Sequence, residues 1–586
     1  MRDLALVSNR GPFAFSQRFI HEAEESLRTN TPPVPPTFGE GGLVQAMAGL
    51  LRGDRWRPIW IGASLGDKDI DVAYGHHNEL FEKMHEHGYA PEYFPEIVIE
   101  PNKRIRFRYR DYDFYMRIVF FDTEHMHSYY TTFSNGFLWP LMHLTHSPLL
   151  YKTKEKVFPR PIFRKNDYLQ YTSSNVTFAH TVFDETMKSR ALWGKGDQFI
   201  VWNQDYHLMQ VAERYKALVA AEGMAREESK RIRVGQFMHT PFFNVHEIQG
   251  LLREDKRRRM RGERFDPFPE SIETVLQKLV WGMLANDFVG FHHKEYCDNY
   301  LEALQEWFPR YHVTIRQRAQ FYEVSHPNGV TTLGVFPIGL DVGKILEATR
   351  EDQRLVHRYG DQDLQEMMQN DKERGRYIFG GLERCDYTKG LVARLGIFAN
   401  VLMRLRQEKR EKFDARLYQV TAPSRSDNPE YRKLEGVIRE QVRLKNEELS
   451  TDLEPIVRLD RGIPPPENYR FMREVDVMLV TPLEDGMNLV AFEYVLSQKY
   501  RSNRGLLVLG KCGAARVLRS AGFKEEDGVV YVDPLKEENA GGRVAEWLRR
   551  GVGISDRLID YIEQEFRVDD WAQKNIEAIV GCRKLQ

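Results

Sequence analysis

Cysteine is scarce. Cys297, Cys385, Cys512 and Cys582 are the only four in 586 residues, and their spacing matches neither a disulfide framework nor a metal site, which points to a reducing compartment. Long apolar runs are missing as well. No uninterrupted stretch approaches the roughly eighteen residues that a membrane-spanning helix needs, and the apolar run in MRDLALVSNR is too short for a signal peptide. A cytoplasmic protein is therefore expected, with no membrane partner. An excess of either charge is also absent: Lys plus Arg number 84, Asp plus Glu 85, and the formal net charge is -1. That balance lacks the signature of a nucleic-acid binder or an acidic tail. No close set of metal ligands and no Ser or Cys triad pattern stands out. Function must be read from local sites.

What is present is a βα succession. The length exceeds what one core holds and fits two large domains or three modest ones. Short apolar segments at 4–8, 57–63, 115–120, 198–202, 232–238 and 284–291 read as strands, and a second series follows at 376–380, 416–421, 475–480, 505–509 and 529–532. Continuous apolar strands interleaved with long polar-faced helices imply parallel sheets covered on both faces. The expected division is an N-terminal α/β domain at 1–343, a second α/β domain at 344–553 and a helical segment at 554–586. Trp571 in that last segment is a large apolar anchor, and the segment is placed either with its neighbour or crossing back to the N-terminal domain. Two interruptions stand out. Residues 15–40 read as a long loop, with prolines opposing a helix through the second half. The basic stretch 252–271 reads as a solvated insertion, with a surface for an anionic partner as the minority reading.

Several motifs fall where strands end. SNRGP (8–12) follows the first strand, and EGGLV (40–44) offers Gly41 and Gly42 for a close backbone approach to a ligand, although Gly-Gly also marks ordinary turns. VWNQDYHLM (201–209) places Asp205 and His207 after a strand; the carboxylate could accept sugar hydroxyls, or serve as an ion pair or helix cap. His239 in GQFMHTPFF reads first as a structural histidine, with a base or a hydroxyl binder as the other readings. In GGLERCDYTKG, Arg384 supplies a planar donor fork and Lys389 a point charge suited to a diphosphate; the motif is not a P-loop. In TPLEDGMNLVAFEY a turn and helix start expose N–H groups that can hold phosphate or sugar oxygens. Asp485 there could take sugar hydroxyls and Glu493 the paired hydroxyls of ribose, the alternative for Glu493 being a helix salt bridge.

The ordered set SNRGP, GGLV, YYTTFSNGFLWP, WNQDYHL, FMHTPFF, LANDFVGFH, VFPIGLD, GLERCDYTKG, APSRSDNPEY and EDGMNLVAFEY resembles the retaining trehalose-6-phosphate synthase family across nearly the whole chain. The resemblance extends to the related glucosylglycerol-phosphate synthases. It implies two Rossmann-like α/β domains in a GT-B arrangement with the active site in the interdomain crevice, and a retaining nucleotide-sugar-dependent hexosyltransferase. Carried over residue by residue, it assigns Arg384 and Lys389 to the donor diphosphate under the Gly41–Gly42 loop, and Asp485, Gly486, Met487, Asn488, Leu489 and Val490 to the donor-binding turn. Glu493 goes to the ribose and His239 to the donor sugar near its reacting centre, so that His239, Arg384, Lys389 and Asp485 form the catalytic set. Arg10, Tyr130, Trp139, Asp205 and Arg425 form the pocket of a phosphorylated acceptor. Transfer would proceed on one face, the departing phosphate helping to deprotonate the incoming hydroxyl, so no carboxylate nucleophile of the glycosidase kind is needed.

Partners implied are a nucleotide-glucose and glucose 6-phosphate, with no obligatory metal or cofactor and no nucleic acid; a homo-oligomer stays open. Two alternatives remain. Glycerol 3-phosphate would fit an arginine-lined phosphate pocket, and a catalytically silent sugar-nucleotide-binding protein could carry the same residues. The sequence also departs from the family where Ser426 follows Arg425, a place where glycine is common.

Overall fold

The computed structural model describes residues 2–33, 46–52, 56–144, 164–194, 197–261, 270–310, 313–318, 320–408, 413–425, 428–450 and 453–582. The chain divides into two compact units. Met1–Trp139, Ile162–Phe336 and Asp569–Gln586 make the first; Pro140–Pro161 and Pro337–Val568 make the second.

The first unit is built on an 11-stranded sheet. Its strands are β1 (Arg2–Arg10), β2 (Arg57–Ala63), β3 (Glu96–Ile99), β4 (Arg104–Tyr109), β5 (Tyr112–Val119), β6 (Gln198–Gln204), β7 (Ile232–Met238), β8 (Phe288–Phe291), β9 (Thr314–Arg318), β10 (Phe321–His326) and β11 (Gly329–Val335). They lie in the order β3-β4-β5-β2-β1-β6-β7-β8-β11-β10-β9. From β5 across to β11 every neighbour is parallel. Leu4, Ala5, Leu6 and Val7 in the middle have no exposed surface, as a strand covered on both faces requires. The two ends are antiparallel hairpins. In RIRFRY, Ile105, Phe107 and Tyr109 are buried while the alternate arginines stay half-exposed, the alternation of a sheet with one wet face. β5 covers 115–119 of the strand expected at 115–120, whereas β3, β4, β9 and β10 carry no long continuous apolar run, so a search for such runs passes over them.

Two expectations are corrected. The strand sought at 284–291 is only Phe288–Phe291; Leu284, Ala285 and Asn286 donate their N–H groups to Trp281, Gly282 and Met283, unwinding the preceding helix in tight turns. Within 15–40, the expected loop holds an α-helix, Gln17–Thr29. Ser16 caps it by accepting from the Phe19 N–H, Asn30 closes it in the left-handed conformation, and Phe19, Ile20, Ala23 and Ser26 form its buried face. The prolines sit beyond that helix, and residues 34–45 lie outside the described residues. In the basic stretch, Gln249–Met260 is helical and Arg259 pairs with Asp255 at 2.9 Å; such pairs neutralise part of its charge locally.

The second unit has a six-stranded parallel sheet. In spatial order the strands are Ile456–Leu459, Ala415–Ala422, Tyr377–Arg384, Val477–Val480, Leu506–Leu509 and Val529–Tyr531. The first strand in the chain lies centrally, the next two follow on one side and the last three on the other, which is the strand order of a Rossmann fold. Its switch point falls between Tyr377–Arg384 and Val477–Val480. In the first unit, β2 and β5 lie on one side of β1 and β6, β7 and β8 on the other, so the corresponding switch is between β1 and β6. Ligands of such sheets bind outside the carboxyl ends of the strands at the switch.

The carboxyl-terminal helix, Val568–Gly581, carries Trp571. Its indole N–H donates to Phe336 O at 3.0 Å, and the ring lies 5.4 Å from Trp202 and 5.0 Å edge-on from Phe237. Gly235 in β7 makes room for this helix, since a Cβ there would stand 2.5 Å from Ile579. Because Trp571 is buried against two aromatic strand residues, Trp571→Ala is expected to cost about 3–5 kcal/mol of stability in the first unit. Urea unfolding followed by fluorescence and circular dichroism measures this, and a loss below about 1 kcal/mol would contradict the anchoring role.

Candidate active site

At the switch point of the first unit, β1 ends in SNRGP. Ser8 Oγ donates to the Arg10 carbonyl, which also accepts from the Trp60 indole at 3.1 Å. The pinned turn projects the exposed Arg10 side chain toward Tyr130, with Nη2 donating to the phenol oxygen at 2.7 Å and the guanidinium 5.3 Å from the ring. Tyr130 belongs to His127–Leu138, which is wound as a π-helix. Ser134 Oγ and Asn135 Nδ2 donate to the carbonyls five residues earlier, at 2.8 and 2.9 Å. Extended π-helix is rare and is concentrated at functional sites. Its far end delivers Trp139, whose ring lies 5.9 Å from Tyr206.

Strand β6, beside β1, ends at Asp205. This residue holds φ 69, costly for any side chain with a Cβ. The bend is held from two sides. The Asp205 N–H donates to Phe237 O at 2.7 Å, and its Oδ1 accepts from the His239 N–H at 3.1 Å. Tyr171 and Asn175, on the long helix Lys165–Arg190, fasten the following residues: the Tyr171 hydroxyl donates to Tyr206 O at 2.8 Å, and Asn175 Oδ1 accepts from the Gln210 N–H at 3.1 Å. Burial pushes the Asp205 carboxyl up to about 6 against the opposing hydrogen bonds. Burial likewise lowers His239 to about 3. His239 is thus neutral near pH 7, and with Nε2–H donating to Gln204 Oε1 at 2.9 Å its Nδ1 stays an acceptor. His292 and Trp571 pack around it, at 5.4 and 5.9 Å.

At the switch point of the second unit, Arg384 ends its strand exposed, and among the described residues its guanidinium has no hydrogen bond or ion pair. Lys389 is the opposite case. Its ammonium is buried, 2.5 Å from Asp485 Oδ2 and 3.5 Å from Glu383 Oε2. Burial alone would lower its pKa, but the two carboxylates outweigh that and leave it raised. Asp485 is correspondingly held below the usual carboxylate range, burial opposing and Lys389 prevailing. Asn488, at φ 58, donates to both Glu383 Oε1 at 2.8 Å and Asp485 Oδ2 at 3.0 Å. Gly390, at φ 59, is required because a Cβ would stand 2.1 Å from Thr481 O. In contrast, Gly380 and Gly381 do not face a ligand. A Cβ on them would meet Val475 and the buried Arg394 side chain, so they make room for packing.

The N–H groups of Met487, Asn488 and Leu489 enter no hydrogen bond among the described residues. They precede the helix Val490–Ser497, so the turn presents donors at a positive helix end. Glu493, in that helix's first turn, is half-buried with no hydrogen bond to its carboxylate among the described residues. Burial, aided by Glu383, pushes it up to about 7. A salt bridge for Glu493, the alternative left by the sequence, is not made among the described residues.

The structure thus gathers the candidates into two sets. Arg10, Tyr130, Trp139, Asp205 and His239 belong to the first unit; Arg384, Lys389, Arg425, Asp485 to Val490 and Glu493 belong to the second. Gly41, Gly42 and Ser426 lie outside the described residues. Arg425, at φ 50, pairs with buried Asp386 at 3.1 Å and bonds Tyr431. Among residues that motif reading passed over are Gln204, which fixes the His239 ring, and Glu383, which joins Lys389 to Asn488. Glu383 stood inside GLERCDYTKG, but only its neighbours' geometry gives it a task. His207 stacks on Tyr130 at 5.6 Å. Among the described residues no group of three or more His, Cys, Asp or Glu side chains is placed to hold a metal ion, and no helix is long and apolar enough to cross a membrane.

Known proteins resemble the chain along most of its length. The model of glycosyltransferase family 20 matches residues 12–255 and 266–524. The chain belongs to this family, the trehalose-6-phosphate synthases. The trehalose-6-phosphate synthase of Mycobacterium ulcerans is 30% identical over 554 residues, covering 93% of this chain and 89% of that protein. Of solved structures, an E. coli trehalose-6-phosphate protein bound with UDP-2-fluoro glucose superposes with TM-score 0.65 at 20% identity, covering 99% of both chains. A Burkholderia xenovorans α,α-trehalose-phosphate synthase (UDP-forming) in complex with glucose-6-phosphate gives 0.63 at 19%, covering 98% of this chain and 99% of that one. The fold is GT-B, with two Rossmann-like α/β domains, and family and fold mark the chain as a glycosyltransferase.

Glu493 and the basic pair of this family 20 chain generate two predictions. The raised Glu493 carboxyl favours the folded state below its ordinary value of 4.5, and that contribution is lost as pH rises through about 7. Glu493→Gln removes this slope, so the melting temperature of the variant relative to wild type should increase from pH 4.5 to pH 8; a flat or falling difference counts against the buried carboxyl. If Arg384 and Lys389 take the diphosphate role that the sequence resemblance assigns them, Arg384→Ala and Lys389→Ala each lose about 2–4 kcal/mol of transition-state stabilisation, read as kcat/KM of folded variants. Near-wild-type values in both would remove them from the site.

Proposed function

We propose that the chain transfers glucose from a nucleotide-glucose to the hydroxyl of glucose 6-phosphate with retention of configuration, forming trehalose 6-phosphate. The observation that carries the donor side is the switch point of the second unit, which brings exposed Arg384 and buried Lys389 together with the N–H groups of 487–489 and the Glu493 carboxylate, none of the latter hydrogen-bonded among the described residues. Donors and cations suit a diphosphate; a carboxylate one helical turn on suits ribose hydroxyls. Asp485 accepts hydroxyls of the donor sugar. In transfer, the bond from the anomeric carbon to the diphosphate oxygen breaks and a bond to the acceptor oxygen forms. The acceptor proton passes to the departing phosphate, whose charge Arg384 and Lys389 stabilise. His239, neutral and fixed by Gln204, contacts the donor sugar near its reacting carbon.

Arg10 with Tyr130 grips the acceptor phosphate from the first unit, Trp139 packs on the sugar and Asp205 accepts its hydroxyls. Arg425 supplies the second guanidinium. Bound glucose-6-phosphate in the Burkholderia xenovorans neighbour and bound UDP-2-fluoro glucose in the E. coli one support this choice of ligands. No divalent metal is required, because the basic pair neutralises the diphosphate.

The test is a crossed assay of UDP-, ADP- and GDP-glucose against glucose 6-phosphate, glycerol 3-phosphate and glucose, with products identified by mass and anomeric configuration. Trehalose 6-phosphate is the expected principal product. Arg10→Ala should raise the KM for phosphorylated acceptor by about 10-fold or more, the loss of one charge-assisted contact, with donor binding preserved. Arg10 is the cleaner probe, because removing Arg425 also strands buried Asp386. Higher efficiency with glycerol 3-phosphate would move the chain to the glucosylglycerol-phosphate branch, and efficient use of free glucose would overturn the phosphate grip. Donor binding without turnover over the whole panel would identify a silent binding protein.

A further inference from the structure

His143 lies far from the donor loop in sequence, just beyond the short helix Trp139–Met142, yet it belongs to the second unit with Asp485. Its side chain is wholly buried, and Nε2 stands 3.9 Å from Asp485 Oδ1. The two oxygens of Asp485 are therefore served differently. Oδ2 takes the Lys389 ammonium at 2.5 Å and the Asn488 amide at 3.0 Å; Oδ1 takes the Gly486 N–H at 2.9 Å and faces His143. If Lys389 is to meet a diphosphate, it must give up part of its hold on Oδ2. A buried carboxylate that loses its cation is unstable unless other groups hold it, and His143 is a chargeable group beside its other oxygen.

We propose that His143 is a positioning residue for the donor sugar: it holds the Asp485 carboxylate through Oδ1 while Lys389 engages the donor diphosphate. At 3.9 Å the contact is longer than a hydrogen bond, and a shift of about 1 Å closes it to that range. The burial of the ring keeps it beside the carboxylate in both states. This inference rests on the reading of Asp485 as a ligand of the donor sugar. Its consequence is a selective one. Loss of His143 weakens binding of a nucleotide-glucose, which needs a placed Asp485, and spares the nucleoside diphosphate, which has no sugar.

The experiment compares UDP-glucose and UDP affinities by calorimetry, together with KM and kcat, in wild type, His143→Asn, His143→Gln and Asp485→Asn. Glutamine reproduces a donor at the Nε2 position; asparagine is too short to reach it. His143→Asn is expected to lower the ratio of UDP-glucose to UDP affinity by about 10-fold, the scale of one lost polar contact, and to raise KM for donor, while His143→Gln restores the ratio to within about threefold. A merely structural role would reduce both affinities alike or leave the ratio unchanged, and a ratio in His143→Asn equal to wild type overturns the proposal. If His143→Asn does not fold, the proposal stands or falls on His143→Gln, which must retain the wild-type ratio. Asp485→Asn separates the two readings. If it leaves the ratio unchanged, Asp485 is not a ligand of the donor sugar; if it lowers the ratio and His143→Asn does not, the His143 inference alone fails.

Discussion

The second unit turns on one buried ion pair, Lys389 with Asp485. A charge taken out of water is tolerated only when it is paired and hydrogen-bonded, and here the pairing recruits the chain around it. Glu383 reaches both Lys389 and Asn488, and wholly buried Arg394 lies 3.9 Å from Glu383. Three separate stretches, 383–394, 481–488 and the segment carrying His143, are thereby committed to one another. The left-handed Asn488 belongs to the same cluster, its amide turned inward onto Glu383 and Asp485, while left-handed Gly390 lets the chain pass the Thr481 carbonyl. The loop after Val480 is an extension of this cluster, tied to it through the Leu483 N–H on Thr388 O and the Gly486 N–H on Asp485 Oδ1.

The first unit solves a different problem. Its candidate residues sit where parallel strands stop, and parallel strands end in backbone groups that a neighbouring strand no longer satisfies. Asp205 answers by bending into an unfavourable conformation and accepting the His239 N–H. The π-helix at 127–138 meets a comparable need by letting Ser134 and Asn135 bond carbonyls five residues back. Asp205 carries local strain, and both features deliver a side chain that the family resemblance assigns to the acceptor or the reacting centre. The neutrality of His239 is a further product of the packing, because phenyl and indole rings enclose the imidazole and exclude the water that would stabilise its charge.

Much of this was legible from sequence for a specific reason. Segments such as LALVS and VDVMLV are apolar throughout, and only a strand covered on both faces tolerates that pattern. Strand ends in such sheets face ligands, so motifs read at 8–12, 205, 239, 384–389 and 485–488 fell at the carboxyl edges the fold uses. The outer hairpins and the 17–29 helix escaped because their burial is one-sided: RIRFRY and QRFIHEAEESLRT look like polar surface until the alternate or fourth residues are seen to share a face. The glycines at 380 and 381, which make room for Val475 and Arg394, show a related limit. A small residue announces a close approach, but sequence does not say whether protein or ligand makes it.

By itself, the sequence determined the class of the fold and the family, because those depend on local patterning and on ordered motifs. Tertiary structure alone decided the protonation tendencies and the partnerships. Lys389 and Arg384 are five residues apart and both basic, yet one is buried against two carboxylates and the other exposed. Glu493 is an unremarkable acid in its helix until burial raises it to about 7. Desolvation and long-range pairing set these properties, and neither is a property of the residues nearby in the chain. His143 shows the same limit, since nothing in WPLMH indicates the carboxylate that the fold brings to it from Asp485.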